Sequence, residues 1–126
     1  MGNAALILVV DDEVVIGELL RVALEDDGYA VAQAESGEEA LKLLKKQKDV
    51  RGILTDVRLG GKKAMTGWDV ARHAHELIPD IAVVYMSGDS AVDWAALGVP
   101  KSVMVVKPFA MSQISTALAT LLNEVG

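Results

Sequence analysis

Apolar runs of strand length alternate along the chain with segments whose apolar residues recur at helical spacing, and the alternation repeats five times. Ala5 to Val10 (ALILVV) is continuously apolar and rich in branched side chains, the pattern of a strand buried on both faces. Ile16, Leu19, Leu20, Ala23 and Leu24 then fall on one face of a helix, which Asp27-Gly28 ends. Tyr29 to Ala34 reads as a second strand. Ser36 and Glu39 have the spacing of a capping box that opens a helix with Ala40, Leu41 and Leu44 inward. A third strand, Gly52 to Thr55, runs into Asp56, and the loop Val57 to Met65 carries the tract Gly60-Gly61-Lys62-Lys63. Thr66, with Asp69 three residues on, caps a third helix whose stripe is Val70, Ala71, Ala74, Leu77 and Ile78; Pro79-Asp80 breaks it. Ile81 to Met86 is a fourth strand, Ala91 to Leu97 a short and weakly amphipathic helix stopped by Gly98 and Pro100, and Val103 to Val106 a fifth strand. Ile114, Ala117, Leu118, Leu121 and Leu122 mark a final amphipathic helix.

Five strand-helix units in sequence call for an α/β fold, a doubly wound parallel sheet with right-handed crossovers and helices on both faces. Five strands suit the flavodoxin-like order 2-1-3-4-5, in which ligands bind outside the carboxyl ends of the strands at the switch point between strands 1 and 3. The chain of 126 residues is read as a single domain, 1–126, with its core from about residue 4 to 122. Hydrophobic residues make up 52% of it, which excludes a disordered segment. Twelve Lys and Arg against eighteen Asp and Glu give a net charge of −6, which argues against a nucleic-acid partner, where a basic face must displace counterions. With no Cys there is no disulfide, thiolate metal site or thiol nucleophile. The longest strongly apolar run, Ala4 to Val10, is far short of the ~20 residues that span a bilayer and lacks the flanks of a signal peptide, so a cytoplasmic location without a membrane partner is expected.

The polar residues at the strand ends are the chemically specific part. Strand 1 runs into Asp11-Asp12-Glu13, strand 3 into Asp56, strand 4 into Ser87-Gly88-Asp89 and strand 5 into Lys107-Pro108. In the expected strand order all four lie at one edge. Crowded carboxylates repel unless a hard cation joins them, and oxygen ligands of this kind suit Mg²⁺. Lys107 adds an ammonium and Ser87 a hydroxyl, so the set is suited to holding a phosphoryl group, with Asp56 as a carboxylate nucleophile. Each piece has a plainer reading alone: Asp-Asp after a strand is a common helix cap, and Asp56, Ser87-Gly88 and Lys107-Pro108 are ordinary strand ends and turns. Their conjunction at one edge points to the phosphoryl site.

Val9-Val10-Asp11-Asp12-Glu13, Leu54-Thr55-Asp56, Met86-Ser87-Gly88 and Val106-Lys107-Pro108-Phe109 together resemble the motifs of the CheY-like response-regulator receiver domains, over about Ala4 to Leu122. The resemblance implies a two-component or phosphorelay module, not a turnover enzyme. Asp56 would take a phosphoryl group from a phosphohistidine on a histidine kinase or histidine phosphotransfer protein. Asp12 and Asp56 would ligate Mg²⁺ (or Mn²⁺), with the main-chain carbonyl of Arg58, and Asp11 would act mainly through a water on the metal. Lys107 would pair with Asp56 or its phosphoryl oxygens, and Ser87 would move toward them, signalling to an unidentified downstream protein through the face of helix 4, strand 5 and helix 5. The Lys107-Pro108 peptide resembles the family's cis bond.

Three features depart from the family pattern. Met104 stands where an aromatic switch residue is usual, the loop after Asp56 is enlarged by Gly60, Gly61, Lys62 and Lys63, and helix 4 is short. Arg58 and Asp89, each two residues beyond a site residue, are expected to meet across the mouth or to leave Arg58 on the phosphoryl group, in either case modulating its lifetime; the plainer reading has both in solvent, where they alter little. A stand-alone receiver, acting by phosphorylation-dependent binding or as a phosphate sink, and one belonging to a hybrid histidine kinase both fit. An aspartyl-nucleophile phosphohydrolase would need an acid where Arg58 stands, and a flavin carrier would need a glycine- and hydroxyl-rich loop where Asp11 and Asp12 stand. His73 and His75, two apart on a helix, share no face and read as solvated; Trp68 and Trp94 read as partly buried packing residues, and Lys62-Lys63 as a solvated loop tip.

Overall fold

The computed structural model describes residues 4–61 and 63–123; Lys62 of the expected loop tip lies outside them. Five strands, β1 (Leu6–Val10), β2 (Ala30–Ala34), β3 (Val50–Asp56), β4 (Ala82–Ser87) and β5 (Ser102–Val106), form one sheet in the order β2-β1-β3-β4-β5. All pairings are parallel. The helices are α1 (Val14–Asp26), α2 (Gly37–Lys46), α3 (Gly67–Leu77), α4 (Trp94–Leu97) and α5 (Met111–Leu122), and this is the doubly wound flavodoxin-like architecture.

Successive residues of a strand face opposite sides, so the continuous apolar run of β1 feeds two cores. Leu8 and Val10 pack with Ala40, Leu44, Val70 and Ala74 of α2 and α3. Ile7 and Val9 pack with Leu20, Leu24, Ile114 and Leu118 of α1 and α5. The stripes read from spacing on α2, α3 and α5 fill these layers, whereas Leu19 of the α1 stripe is 54% exposed and lies outside them.

The caps show how local chemistry sets the boundaries. At α3 both halves of a capping box form: the Asp69 amide donates to Thr66 Oγ1, and the Thr66 amide donates to Asp69 Oδ2 at 3.1 Å. The Thr66 amide and hydroxyl together hold the Asp69 pKa below its ordinary value. At α2 the expected box is only half made. Ser36 Oγ accepts from the Glu39 amide at 3.1 Å, but the Glu39 carboxylate accepts from Glu35 N–H at 2.8 Å instead of from Ser36. The carboxylate satisfies a donor one residue further out, since the extended backbone at Ser36 leaves the Glu35 amide within reach.

The segment expected to be a single helix from Ala91 to Leu97 is a 3₁₀ turn, Ala91–Asp93, followed by one turn of α4, and none of its residues is buried. Ala91, Ala95 and Ala96 supply too little apolar surface to seat a longer helix. Trp94 is more exposed than a packing residue would be, and its indole N–H donates to Ser102 Oγ at 2.9 Å. Among the described residues no helix is long and apolar enough to cross a membrane.

Candidate functional site

The carboxyl edge of the sheet is built from four strand ends. Immediately after β1 the Glu13 amide donates to Asp11 Oδ1 at 2.8 Å, an Asx-type turn that folds the acidic pair over the edge. Asp11 is buried and Asp12 exposed. One strand over, Asp56 is the last residue of β3 and is also buried, with Thr55 Oγ1 donating to its main-chain carbonyl at 2.9 Å.

Gly67 secures Asp56 in a way its sequence neighbours do not announce. A Cβ at Gly67 would lie 2.3 Å from the Asp56 carbonyl oxygen, so only glycine lets the start of α3 pack this close to the end of β3. The Gly67 amide donates to Val57 O at 2.8 Å and closes the loop.

The two carboxylate oxygens of Asp56 face different donors. Oδ1 accepts from the Arg58 amide at 3.2 Å, and Oδ2 accepts from Lys107 Nζ at 2.7 Å. Lys107 is placed by its own amide, which donates to Ser87 O at 2.9 Å, and the Lys107-Pro108 peptide is cis. Burial alone would lower the Lys107 pKa. The bond to Asp56 and the charges of Asp56, Asp11 and Glu13 outweigh it and hold the ammonium above the ordinary lysine value. Ser87, buried at the end of β4, has an Oγ that accepts from the amides of Asp89 (3.2 Å) and Ser90 (2.7 Å).

Oxygens of Asp11, Asp12 and Asp56 lie within 4.8 Å of one another. Burial pushes the Asp11 carboxyl up to about 6; the Glu13 amide opposes this, and the charge of Asp56 adds to it. Asp11 Oδ2 is buried with no hydrogen-bond partner. A buried, unpartnered carboxylate oxygen beside two further carboxylates is the donor set a hard divalent cation satisfies, and these residues fit Mg²⁺. Above them opens a cleft of about 290 Å³ lined by Asp12, Asp56, Ser87, Asp89 and Lys107 among others.

Arg58 and Asp89 bridge the mouth of that cleft through a two-pronged ion pair, Nη2 to Oδ2 at 2.8 Å and Nε to Oδ1 at 3.2 Å. Met104 lies on β5, half-buried, in register with Tyr85 of β4. His73 is exposed and 3.5 Å from Glu76, and Trp68 is buried with its ring 4.5 Å from that of Tyr85. The close approach at Gly67 and the hydroxyl of Tyr85 were not singled out from the sequence. The only sign of the first is a glycine directly inside a helix start; the second carries none.

This sheet and these strand ends define a receiver domain, and the comparisons with known proteins agree. The family model described as "Response regulator receiver domain" matches residues 7–119, and the chain belongs to that family. It is similar to the crystal structure of a response regulator receiver protein from Sinorhizobium medicae, with a TM-score of 0.89, 39% identity and 95% of each chain covered. It is 37% identical to the alginate biosynthesis transcriptional regulatory protein AlgB of Pseudomonas putida over 96% of this chain and 27% of that protein. It is 32% identical to the sensor kinase CckA of Brucella abortus over 98% of this chain and 13% of that protein. The chain spans about half the length, or less, of the curated relatives it matches. It is thus a receiver module of the kind used in two-component signalling, and its relatives are bacterial.

Proposed function

We propose that the chain accepts a phosphoryl group on Asp56 from a phosphohistidine of a histidine kinase or histidine phosphotransfer protein in the cytoplasm. The observation that carries the reading is the setting of Asp56: a buried carboxylate, bonded to Lys107 Nζ at 2.7 Å and grouped with Asp11 and Asp12 below a small polar cleft. An Asp56 oxygen attacks phosphorus, the donor's N–P bond breaks, and the imidazole leaves with its electron pair and takes a proton from solvent. Lys107 stays beside the acceptor and offsets charge on the phosphoryl oxygens, while the Ser87 hydroxyl donates to one of them. Asp12, Asp56 and the Arg58 carbonyl are the groups that would hold Mg²⁺, or Mn²⁺ in its place, with Asp11 behind them. The chemistry gained with the ion bound is neutralisation of charge on the phosphoryl group in flight.

Loss of phosphate requires water to approach phosphorus opposite the Asp56 oxygen. The Arg58–Asp89 pair spans the mouth of the cleft by which that water enters, and Asp89, engaged by the guanidinium, is a poor base toward it. Partner binding changes through α4, β5 and α5, where Met104 repacks without the two-position swing of a ring. The test is a transfer assay from a phosphotransfer protein carrying labelled phosphohistidine. Label should pass to this chain with Mg²⁺ and stay on the donor with chelator; transfer that ignores the chelator would contradict the assignment.

A further inference from the structure

The segment between β4 and β5 is held by hydrogen bonds more than by packing. Neither the 3₁₀ turn nor α4 buries a residue, and Val92 is 88% exposed. At its start, the amides of Asp89 and Ser90 both donate to Ser87 Oγ, at 3.2 and 2.7 Å. At its end, the Val99 amide donates to Tyr85 Oη at 3.2 Å. Ser87 and Tyr85 are alternate residues of β4 and therefore project from the same face. One strand thus grips both ends of the segment through two hydroxyls.

The two grips differ in mobility. Tyr85 is fully buried, with its ring 4.5 Å from that of Trp68 and tilted at 50° to it, which holds the hydroxyl in place. The Val99 end is fastened a second time, since Val99 O accepts from Ser102 Oγ, which in turn accepts from the Trp94 indole. Ser87, in contrast, lines the cleft beside Asp56 and Lys107. The Asp89 and Ser90 amides share this one oxygen, so a χ1 rotation that carries Oγ toward a phosphoryl group on Asp56 lengthens both bonds at once.

We infer that Tyr85 is a positioning residue, the fixed end of a clamp: phosphorylation releases the Ser87 end of segment 88–99 while Tyr85 keeps the Val99 end and Ser102 holds Trp94, so residues 88–93 swing. This rests on the reading of Asp56 as the phosphoacceptor. The swing redirects Val92, the most exposed large apolar side chain of the segment, and so turns a local charge change into a changed surface.

Amide hydrogen exchange on the whole chain, resting and treated with Mg²⁺ and acetyl phosphate, tests it. In the wild type, phosphorylation should cut protection of Ser90 about five-fold or more, the size set by one hydrogen bond, and leave Val99 protected. Tyr85→Phe, which keeps the ring against Trp68, should expose Val99 to a similar degree in the resting protein and leave Ser90 protected. Loss of Val99 protection on phosphorylation of the wild type, or unchanged protection of Val99 in Tyr85→Phe, would overturn the clamp. The wild-type comparison needs no variant, so a poorly folded Tyr85→Phe does not remove the test. Intact mass on the same samples reports the phosphoryl group itself: its absence would refute the reading of Asp56 and the release step with it, while the resting-state comparison still decides whether Tyr85 holds Val99.

Discussion

Replacing Arg58 by Ala should shorten the life of the phosphorylated protein by a bounded amount. The guanidinium meets Asp89 through two contacts, at 2.8 and 3.2 Å, but the side chains remain 72% and 59% exposed. A pair that wet contributes only ~0–1 kcal/mol, so it holds the mouth closed with an equilibrium constant of at most about five. Shielding that depends on this pair therefore slows hydrolysis by up to about five-fold and no more. The main-chain carbonyl of Arg58 and the hydrogen bond its amide donates to Asp56 Oδ1 survive the substitution, so Mg²⁺ affinity should change little. The assay follows decay of the phosphorylated form by intact mass or phosphate release at saturating Mg²⁺, at low and high salt. Raised salt should narrow the gap between wild type and Arg58→Ala, because it screens the exposed pair. Unchanged or slower decay in the variant would refute the shielding argument, and an acceleration of a hundred-fold would show that Arg58 acts on the phosphoryl group directly.

Three further outcomes follow from the same geometry. Asp11 has a folded pKa of about 6 against 3.8 unfolded, so the native state binds the extra proton and stability falls as pH rises through that window. Asp11→Asn should then stabilise the metal-free protein at pH 7 by about 1–3 kcal/mol, with little gain at pH 4; denaturant melts that show no gain at either pH would contradict this. In a Mg²⁺ titration followed by Trp fluorescence, Asp12→Asn should weaken binding more than Asp11→Asn, and unimpaired affinity in both would show that the ion is held elsewhere. Gly67→Ala must move backbone that lies 2.3 Å from the new Cβ, and should cost about 1–3 kcal/mol in thermal or chemical melts together with a slower phosphorylation of Asp56; a neutral result would show that the α3 start yields freely.

The parts of this fold that were legible in the sequence are those in which a local pattern and its cause coincide. Asp56 stands out because an apolar strand must end, and the residue that ends it beside Asp11 and Asp12 has a chemical reason to be there. Arg58 and Asp89 are 31 residues apart, yet each sits on a loop leaving a neighbouring strand, so strand order was enough to bring them together. Gly67 gave no such sign, because a missing Cβ matters only once the distance to the Asp56 carbonyl is known. The Tyr85–Val99 bond joins a strand to a loop whose path is set by no periodicity, since the intervening segment has almost no apolar spacing to read. At α2 the residue types of a capping box were present and the geometry was not, as the Glu39 carboxylate accepts from the Glu35 amide, one residue outside the cap.

If Asp56 is the phosphoacceptor and transfer needs Mg²⁺, replacing its carboxylate must abolish labelling. Wild type and Asp56→Asn are each treated with acetyl phosphate and Mg²⁺ and weighed intact. The wild type should gain a single phosphoryl group that survives acid and is lost in base, as an acyl phosphate is, and Asp56→Asn should gain none. Undiminished, equally base-labile labelling of Asp56→Asn would place the chemistry on another residue and contradict the account.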